Sequence, residues 1–95
     1  MSVYFVAGLR VHDPALYDQY LEGFDAIFQR YDGEVLAVDE GPALLEGEWP
    51  YTRAVVIRFP DEAALRRWYE SEAYQELAQI RRRAADGFIV AVHGE

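Results

Sequence analysis

The fold class is decided by residues 3–28, which read VYFVAGLRVHDPALYDQYLEGFDAIF. The first part is rich in aromatic and β-branched residues and predicts a strand that ends near Val11. Asp13 and Pro14 then predict a helix start, with Asp13 as the N-cap and Pro14 at the first helical position, where its missing N–H is tolerated. The chain therefore opens with a strand followed by a helix.

The helix is indicated by apolar residues that recur at spacings of three and four, with polar residues on the opposite face. The apolar positions are Leu16, Tyr17, Tyr20, Leu21, Phe24, Ile27, Phe28 and Tyr31. Asp32 and Gly33 are expected to end the helix, because glycine readily adopts the left-handed conformation that follows a last turn.

Two further strands are predicted after this helix. Residues 34–39 form the first, and we expect it to continue from Ala43 to Glu46 after an interruption at Gly41 and Pro42. The second runs from Ala54 to Phe59 and is closed by Pro60.

A second helical segment and a last strand complete the pattern. Asp61 and Ser71 are both good N-cap residues, so they predict a short helix and then a restarted one that runs toward Ala85. Asp86 and Gly87 are expected to end it, and residues 88–92 form the final strand. The order is β-α-β-β-α-β, which predicts an α+β, ferredoxin-like fold with a four-stranded antiparallel sheet and both helical segments on one face.

Both faces of three predicted strands are apolar. In the first strand, for example, Phe5 and Ala7 alternate with Tyr4 and Val6, and residues 54–59 and 88–92 behave alike. A sheet with helices on one side and water on the other should alternate apolar and polar residues. We therefore expect a second copy to cover the open face in a homodimer; the alternative is a monomer that leaves an apolar face exposed.

The length, charge and composition of the chain exclude several classes of function and partner. Ninety-five residues fit a single domain, and a net charge of −8 makes nucleic acid and membrane surfaces unexpected partners. The chain has no lysine or cysteine, which excludes Schiff-base chemistry and thiolate nucleophiles or ligands. With no signal-peptide pattern and no apolar membrane span, we expect a cytoplasmic protein. No motif predicts a cofactor. His12 and His93 fall at opposite edges of the sheet, so no metal site is expected.

Several motifs resemble the domain of unknown function 1330 family. They are Leu45 to Trp49 (LEGEW) with Arg53, Val56 to Pro60, Trp68 to Ser71 with Tyr74 and Gln75, and Arg81 with Ala84 and Ala85. The resemblance covers nearly the whole chain, although Tyr31 to Gly33 replaces a usual double glycine and His93 replaces a common acidic residue. It implies a dimeric α/β-barrel architecture, in which two ferredoxin-like units pack sheet to sheet.

The topology gathers polar and aromatic side chains at one edge of the predicted sheet. These are His12, Asp13, Tyr17, Tyr20, Glu46, Trp49, Arg53 and Arg81. Such a set is typical of a small-molecule pocket between helices and sheet. One hypothesis is a cofactor-independent enzyme, oxygenase- or isomerase-like, with Glu46 or His12 as general base and arginines holding an anionic or aromatic metabolite. The other is a non-catalytic dimeric binding or regulatory module in which a Glu–Arg cluster is purely structural.

Arg81 carries the sharpest prediction. At 100° per residue it falls in the middle of the apolar stripe formed by Tyr74, Leu77 and Ala78, whereas Arg82 and Arg83 point away. Because a buried guanidinium without a partner is costly, we expect Arg81 to be partly or fully buried in an ion pair. The acids at its end of the sheet are Glu46 and Asp13, and we favour Glu46 as the partner. The alternative is that its long side chain reaches solvent past the stripe.

Overall fold

A computed structural model describes residues 1–95 as a four-stranded sheet covered on one face by three helices. The elements are β1 (Val3–Val11), α1 (Pro14–Phe28), β2 (Glu34–Asp39), β3 (Arg53–Phe59), α2 (Glu62–Tyr69), α3 (Glu72–Ala84) and β4 (Ala85–His93). The predicted α+β, ferredoxin-like order is confirmed, with the second helical segment divided into α2 and α3. No helix is long and apolar enough to cross a membrane.

Each helix starts at a capping residue that the sequence predicts. The side chain of Asp13 accepts a hydrogen bond from the Leu16 N–H, and that of Asp61 accepts one from Ala64. Ser71 does the same for α3, where its Oγ accepts from the Tyr74 N–H at 3.2 Å. These bonds satisfy N–H groups that have no partner inside a first helical turn, which fixes where the three helices begin.

The sheet order is β2-β3-β1-β4, and every neighbouring pair is antiparallel. Odd-numbered residues of β1, such as Phe5 and Ala7, face the helices and are buried. The core above them contains the fully buried side chains of Trp68, Tyr74 and Phe59. Trp68 stacks on Phe59 with ring centroids 5.5 Å apart, which joins α2 to the sheet. Trp68 falls on the apolar stripe of the short helix, so the sequence predicts a core position for it, and its full burial confirms this prediction.

The predicted continuation of the second strand is wrong. β2 ends at Asp39, and Ala43 to Glu46 lie in an irregular segment that joins β2 to β3. β2 is an edge strand whose only partner is β3, and their pairing stops at Asp39 opposite Ala54. Leu45 in this segment is 91% exposed, so its apolar character reflects neither strand pairing nor core burial.

Asp86 and Gly87 do not end a helix, as the sequence pattern predicted, but belong to β4. α3 ends at Ala84 and β4 begins at the next residue, because the Ala84 carbonyl accepts hydrogen bonds from the His12 and Asp13 N–H groups. Gly87 has a φ of +154°, and a Cβ there would lie 1.9 Å from the Gly8 carbonyl oxygen. Glycine is therefore required for the close approach of β4 to β1.

The face of the sheet away from the helices is apolar and open. Phe88, Val90 and Val92 of β4 are 36%, 45% and 46% exposed on it. They pair with Gly8, Val6 and Tyr4 of β1, whose side chains share this face. We call this surface the open face.

Candidate functional site

A pocket of about 400 Å³ lies between α1 and the sheet, and we call it the helix–sheet pocket. It is lined by Phe5, Ala7, Leu9, Tyr17, Tyr20, Leu21, Phe24, Asp25, Val35, Val38, Arg53, Val55, Ile57, Trp68, Arg81 and Ile89. Thirteen of these sixteen residues are hydrophobic. Val35 and Val38 of β2 are nearly half exposed, so the pocket opens between α1 and this edge strand. Its size and apolar lining are typical of sites for small organic molecules.

Arg81 is the buried charge of this pocket, with 7% of its surface exposed. Its Nε and Nη2 atoms are buried and have no hydrogen-bond partner. No carboxylate lies within 4.0 Å of its guanidinium. The predicted burial is therefore confirmed, and the predicted ion pair with Glu46 is wrong. The lining thus contains a positive charge that no side chain neutralises.

Tyrosine hydroxyls surround Arg81 in place of a carboxylate. The hydroxyl oxygens of Tyr20 and Tyr74 share a buried hydrogen bond of 2.7 Å, which joins α1 to α3. Burial, followed by the neighbouring Tyr74, raises the pKa of Tyr20 well above its ordinary value. For Arg81, burial acts to lower the pKa, but Tyr74 and Tyr20 outweigh it and the net shift is upward. Tyr20 is neutral and Arg81 is charged at neutral pH, so this end of the pocket is positive.

Arg53 adds a second positive charge at the same end. Its guanidinium carbon lies 5.3 Å from the centre of the Tyr17 ring, a cation–π distance. Burial raises the pKa of the Tyr17 hydroxyl, although Arg53 and Arg81 both act to lower it. The nearest carboxylate to Arg53 is that of Glu40, at 3.9 Å and 82% exposed. A contact of that length in solvent is weak, so Arg53 remains available to a ligand.

Two of the predicted site residues follow β1 and lie outside the pocket lining. Asp13 is occupied as the cap of α1. His12 is exposed, and its Nε2 lies 3.8 Å from the Asp86 carboxylate on β4. Because His12 is beyond the last paired residue of β1, it lies at the rim of the sheet and not between sheet and helix.

Glu46 and Trp49 also lie outside the lining. Glu46 is exposed in the segment between β2 and β3 and forms no ion pair with an arginine. Trp49 packs on Tyr51 with ring centroids 5.0 Å apart, and a Cβ on Gly8 would lie 3.0 Å from its ring. A Cβ added to Gly8 would point to the open face. Trp49 therefore belongs to that face and not to the helix–sheet pocket. Of the predicted residues, the structure thus brings together Tyr17, Tyr20, Arg53 and Arg81.

Among the lining residues that sequence reasoning did not assign to the site, three need explanation. Val35 and Val38 face the helices because the register of β2 shifts between Val35 and Ala37, which a simple alternation does not predict. Asp25 lies two turns beyond Tyr17 on α1 and supplies the pocket's carboxylate. Its spacing from Tyr17 and Leu21, by eight and four residues, was the available signal.

Potential metal ligands do not cluster in this structure, since no group of three or more histidine, aspartate or glutamate side chains comes together. His12 and His93 lie at opposite ends of β1, as predicted, because His93 pairs with Val3, its first residue, and His12 follows Val11, its last.

Comparisons with known proteins agree with this architecture. Residues 2–95 match the family described as domain of unknown function (DUF1330). The chain is similar to the RPA0582 protein of unknown function from Rhodopseudomonas palustris, with TM-score 0.80, 17% identity, and 99% and 82% of the two chains covered. It is also similar to SnoaB, a cofactor-independent oxygenase from Streptomyces nogalater, with TM-score 0.68, 22% identity and coverage of 99% and 93%.

A further similar structure is a dimeric ferredoxin-like protein of unknown function from Thermobifida fusca, with TM-score 0.68, 18% identity and coverage of 99% and 92%. No curated protein matches the chain. At these identities the solved structures establish a shared fold.

Proposed function

The chain belongs to the DUF1330 family, and we propose that it binds a small, largely apolar molecule with a negative charge in the helix–sheet pocket. One observation carries this proposal: the buried Arg81 guanidinium has two N–H-bearing atoms without partners in a pocket that is otherwise mostly hydrophobic. Burying an unpaired charge costs several kcal/mol, and an anionic ligand would recover much of it. Tyr17 and Arg53 add a phenol and a second cation beside it.

The aromatic lining favours an aromatic ligand body. Tyr17, Tyr20, Phe24 and Trp68 present ring surfaces to the pocket. Rings pack on one another in offset or edge-on arrangements that add to the gain from burial. An aromatic carboxylate or phenolate therefore fits both the charge and the walls.

The proposal can be tested with biphenyl carboxylate and its neutral carboxamide, titrated by calorimetry. We expect the acid to bind more tightly than the amide, and Arg81→Met to weaken the acid roughly tenfold or more, because hydrogen bonds to charged groups contribute about 1.5 to 3 kcal/mol. Arg83→Met, an exposed position on the same helix, is the matched control. Equal binding of acid and amide, or an unaffected Arg81→Met variant, would contradict the proposal.

We favour binding over catalysis because of where the predicted general bases lie. The general bases considered from the sequence, Glu46 and His12, are not among the residues that line the pocket. Burial raises the pKa of the Tyr17 hydroxyl above its ordinary value, which favours a role as hydrogen-bond donor to an anion over a role as proton acceptor. A purely structural Glu–Arg cluster is not supported either, because Arg81 has no carboxylate partner.

We propose in addition that the protein is a homodimer whose subunits pack through their open faces. The exposed row of Phe88, Val90 and Val92 is continuous with the apolar residues of β1 beside it. Contiguous apolar surfaces of this kind are typical of protein interfaces.

A further inference from the structure

Resting on the proposed function, we propose that the ligand of the helix–sheet pocket is elongated and carries a hydrogen-bond donor, such as a hydroxyl group, at the end opposite its negative charge. The donor would be received by Asp25. This defines the ligand class as a two-ended aromatic acid.

The two ends of the pocket differ in charge. At one end Arg53 lies over the Tyr17 ring, and Arg81 is close enough to Tyr17 to act on the pKa of its hydroxyl. At the other end Asp25 is the only acidic residue among those that line the pocket. The stretch between them is apolar.

The direction of α1 relative to β3 places these charges at opposite ends. The cation–π contact sets the start of α1 over Arg53, at the start of β3. The ring of Phe28 packs edge-on against Phe59 at 6.2 Å, which sets the end of α1 over the end of β3. Helix and strand therefore run in the same direction along the pocket, and Asp25 lies toward the Phe59 end.

The separation follows from the geometry of both elements. From Tyr17 to Asp25 is eight residues of helix, roughly 12 Å at the rise of an α-helix. From Arg53 to Ile57, both in the lining, is four residues of strand, roughly 13 Å. Spans of this length along the pocket suit a ligand about as long as two linked aromatic rings with a polar group at each end.

Asp25 is free to receive such a group. It is exposed at the mouth of the pocket and takes part in no ion pair. An ionised carboxylate accepts hydrogen bonds and repels other anions. Asp25 would therefore also direct the acidic end of the ligand inward, toward the arginines.

The test compares biphenyl carboxylate with its derivatives bearing a para-hydroxyl or a para-methoxy group on the distal ring. We expect the hydroxyl to improve binding about fivefold or more, as for one hydrogen bond, and the methoxy group to give no such gain. In Asp25→Ala the gain from the hydroxyl should disappear, while the unsubstituted acid binds at least as well as before. Glu22→Ala, one turn away on α1 and outside the pocket lining, should retain the gain.

The outcomes separate this inference from the proposed function. If the unsubstituted acid binds through Arg81 but the hydroxyl gives no gain, or gives the same gain in Asp25→Ala, the two-ended ligand is refuted and the anion site stands. If none of the three acids binds, both proposals are refuted.

Discussion

The two faces of the sheet have similar apolar residues and different surroundings. On the helix side, Phe5 and Ala7 are 5% and 2% exposed beneath α2 and α1. On the open face, Val90 and Val92 keep nearly half of their surface in solvent. The contrast shows that alternation along a strand predicts whether a face can be buried, but not what buries it. The helices of the chain bury one face, whereas no helix of the chain covers the open face.

The largest effect is expected when a charge is placed on the open face. Val90→Arg should convert a dimer into a monomer, because an interface that buries an unpaired guanidinium loses several kcal/mol. The molecular mass measured by light scattering at micromolar concentration would then fall from twice the chain mass to 10.9 kDa. Ala26→Arg, on the exposed side of α1, should leave the dimer intact. A wild-type protein that already scatters as 10.9 kDa would contradict the dimer.

The chain has one tryptophan on each face of the sheet, so the stability cost of losing each can be compared directly. Trp68 is fully buried on the helix side, and Trp49 is partly exposed on the open face. We expect Trp68→Ala to lower the free energy of unfolding by about 3 to 5 kcal/mol and Trp49→Ala to lower it by less. Urea denaturation in the Val90→Arg background would measure both without a contribution from dimer dissociation. Equal losses would contradict the distinction between the faces.

A smaller effect is expected where the edge strand β4 meets the helical layer. The Glu62 carboxylate of α2 accepts hydrogen bonds from Arg66 and from His93, the last residue of β4. Arg66 first and His93 second lower the pKa of Glu62 from its ordinary 4.5. A carboxyl whose pKa is lowered by folding adds stability above its ordinary pKa and loses it as the pH falls through the lowered one.

Glu62→Gln should therefore lower the melting temperature slightly at pH 7, with the difference from wild type shrinking steadily below about pH 4.5. Glu76→Gln, on an exposed position of α3 that forms no ion pair, should show no such trend. A difference that grew toward acid pH would mean that the pair does not stabilise the fold.

Local sequence signals predicted most of the fold, because they act over one helical turn or one strand. The caps Asp13, Asp61 and Ser71 each satisfy an N–H three residues later, so residue type and position suffice to find them. The burial of Arg81 followed from helical periodicity alone. Gly87 was misread because the same residue type serves a helix end and a close approach between strands, and only the pairing with Gly8 distinguishes the two.

The partner of Arg81 could not be predicted, because it depended on a segment without periodicity. The prediction placed Glu46 at the end of a strand that does not extend that far. The expected closeness of Glu46 to Arg81 therefore had no basis. The side chains that do surround Arg81, Tyr20 and Tyr74, each looked like ordinary apolar positions of their own helices. The contact between these two tyrosines depends on how α1 packs against α3. The apolar periodicity of either helix contains no information about that packing.

The direct passage from Ala84 to Ala85 has a mechanical consequence. A helix that enters a strand without intervening loop residues has no hinge to absorb a change of angle. Arg81 lies one turn before this joint, and Phe88 and Val90 lie just after it. A shift of β4 on association with a second copy would therefore be transmitted to the guanidinium.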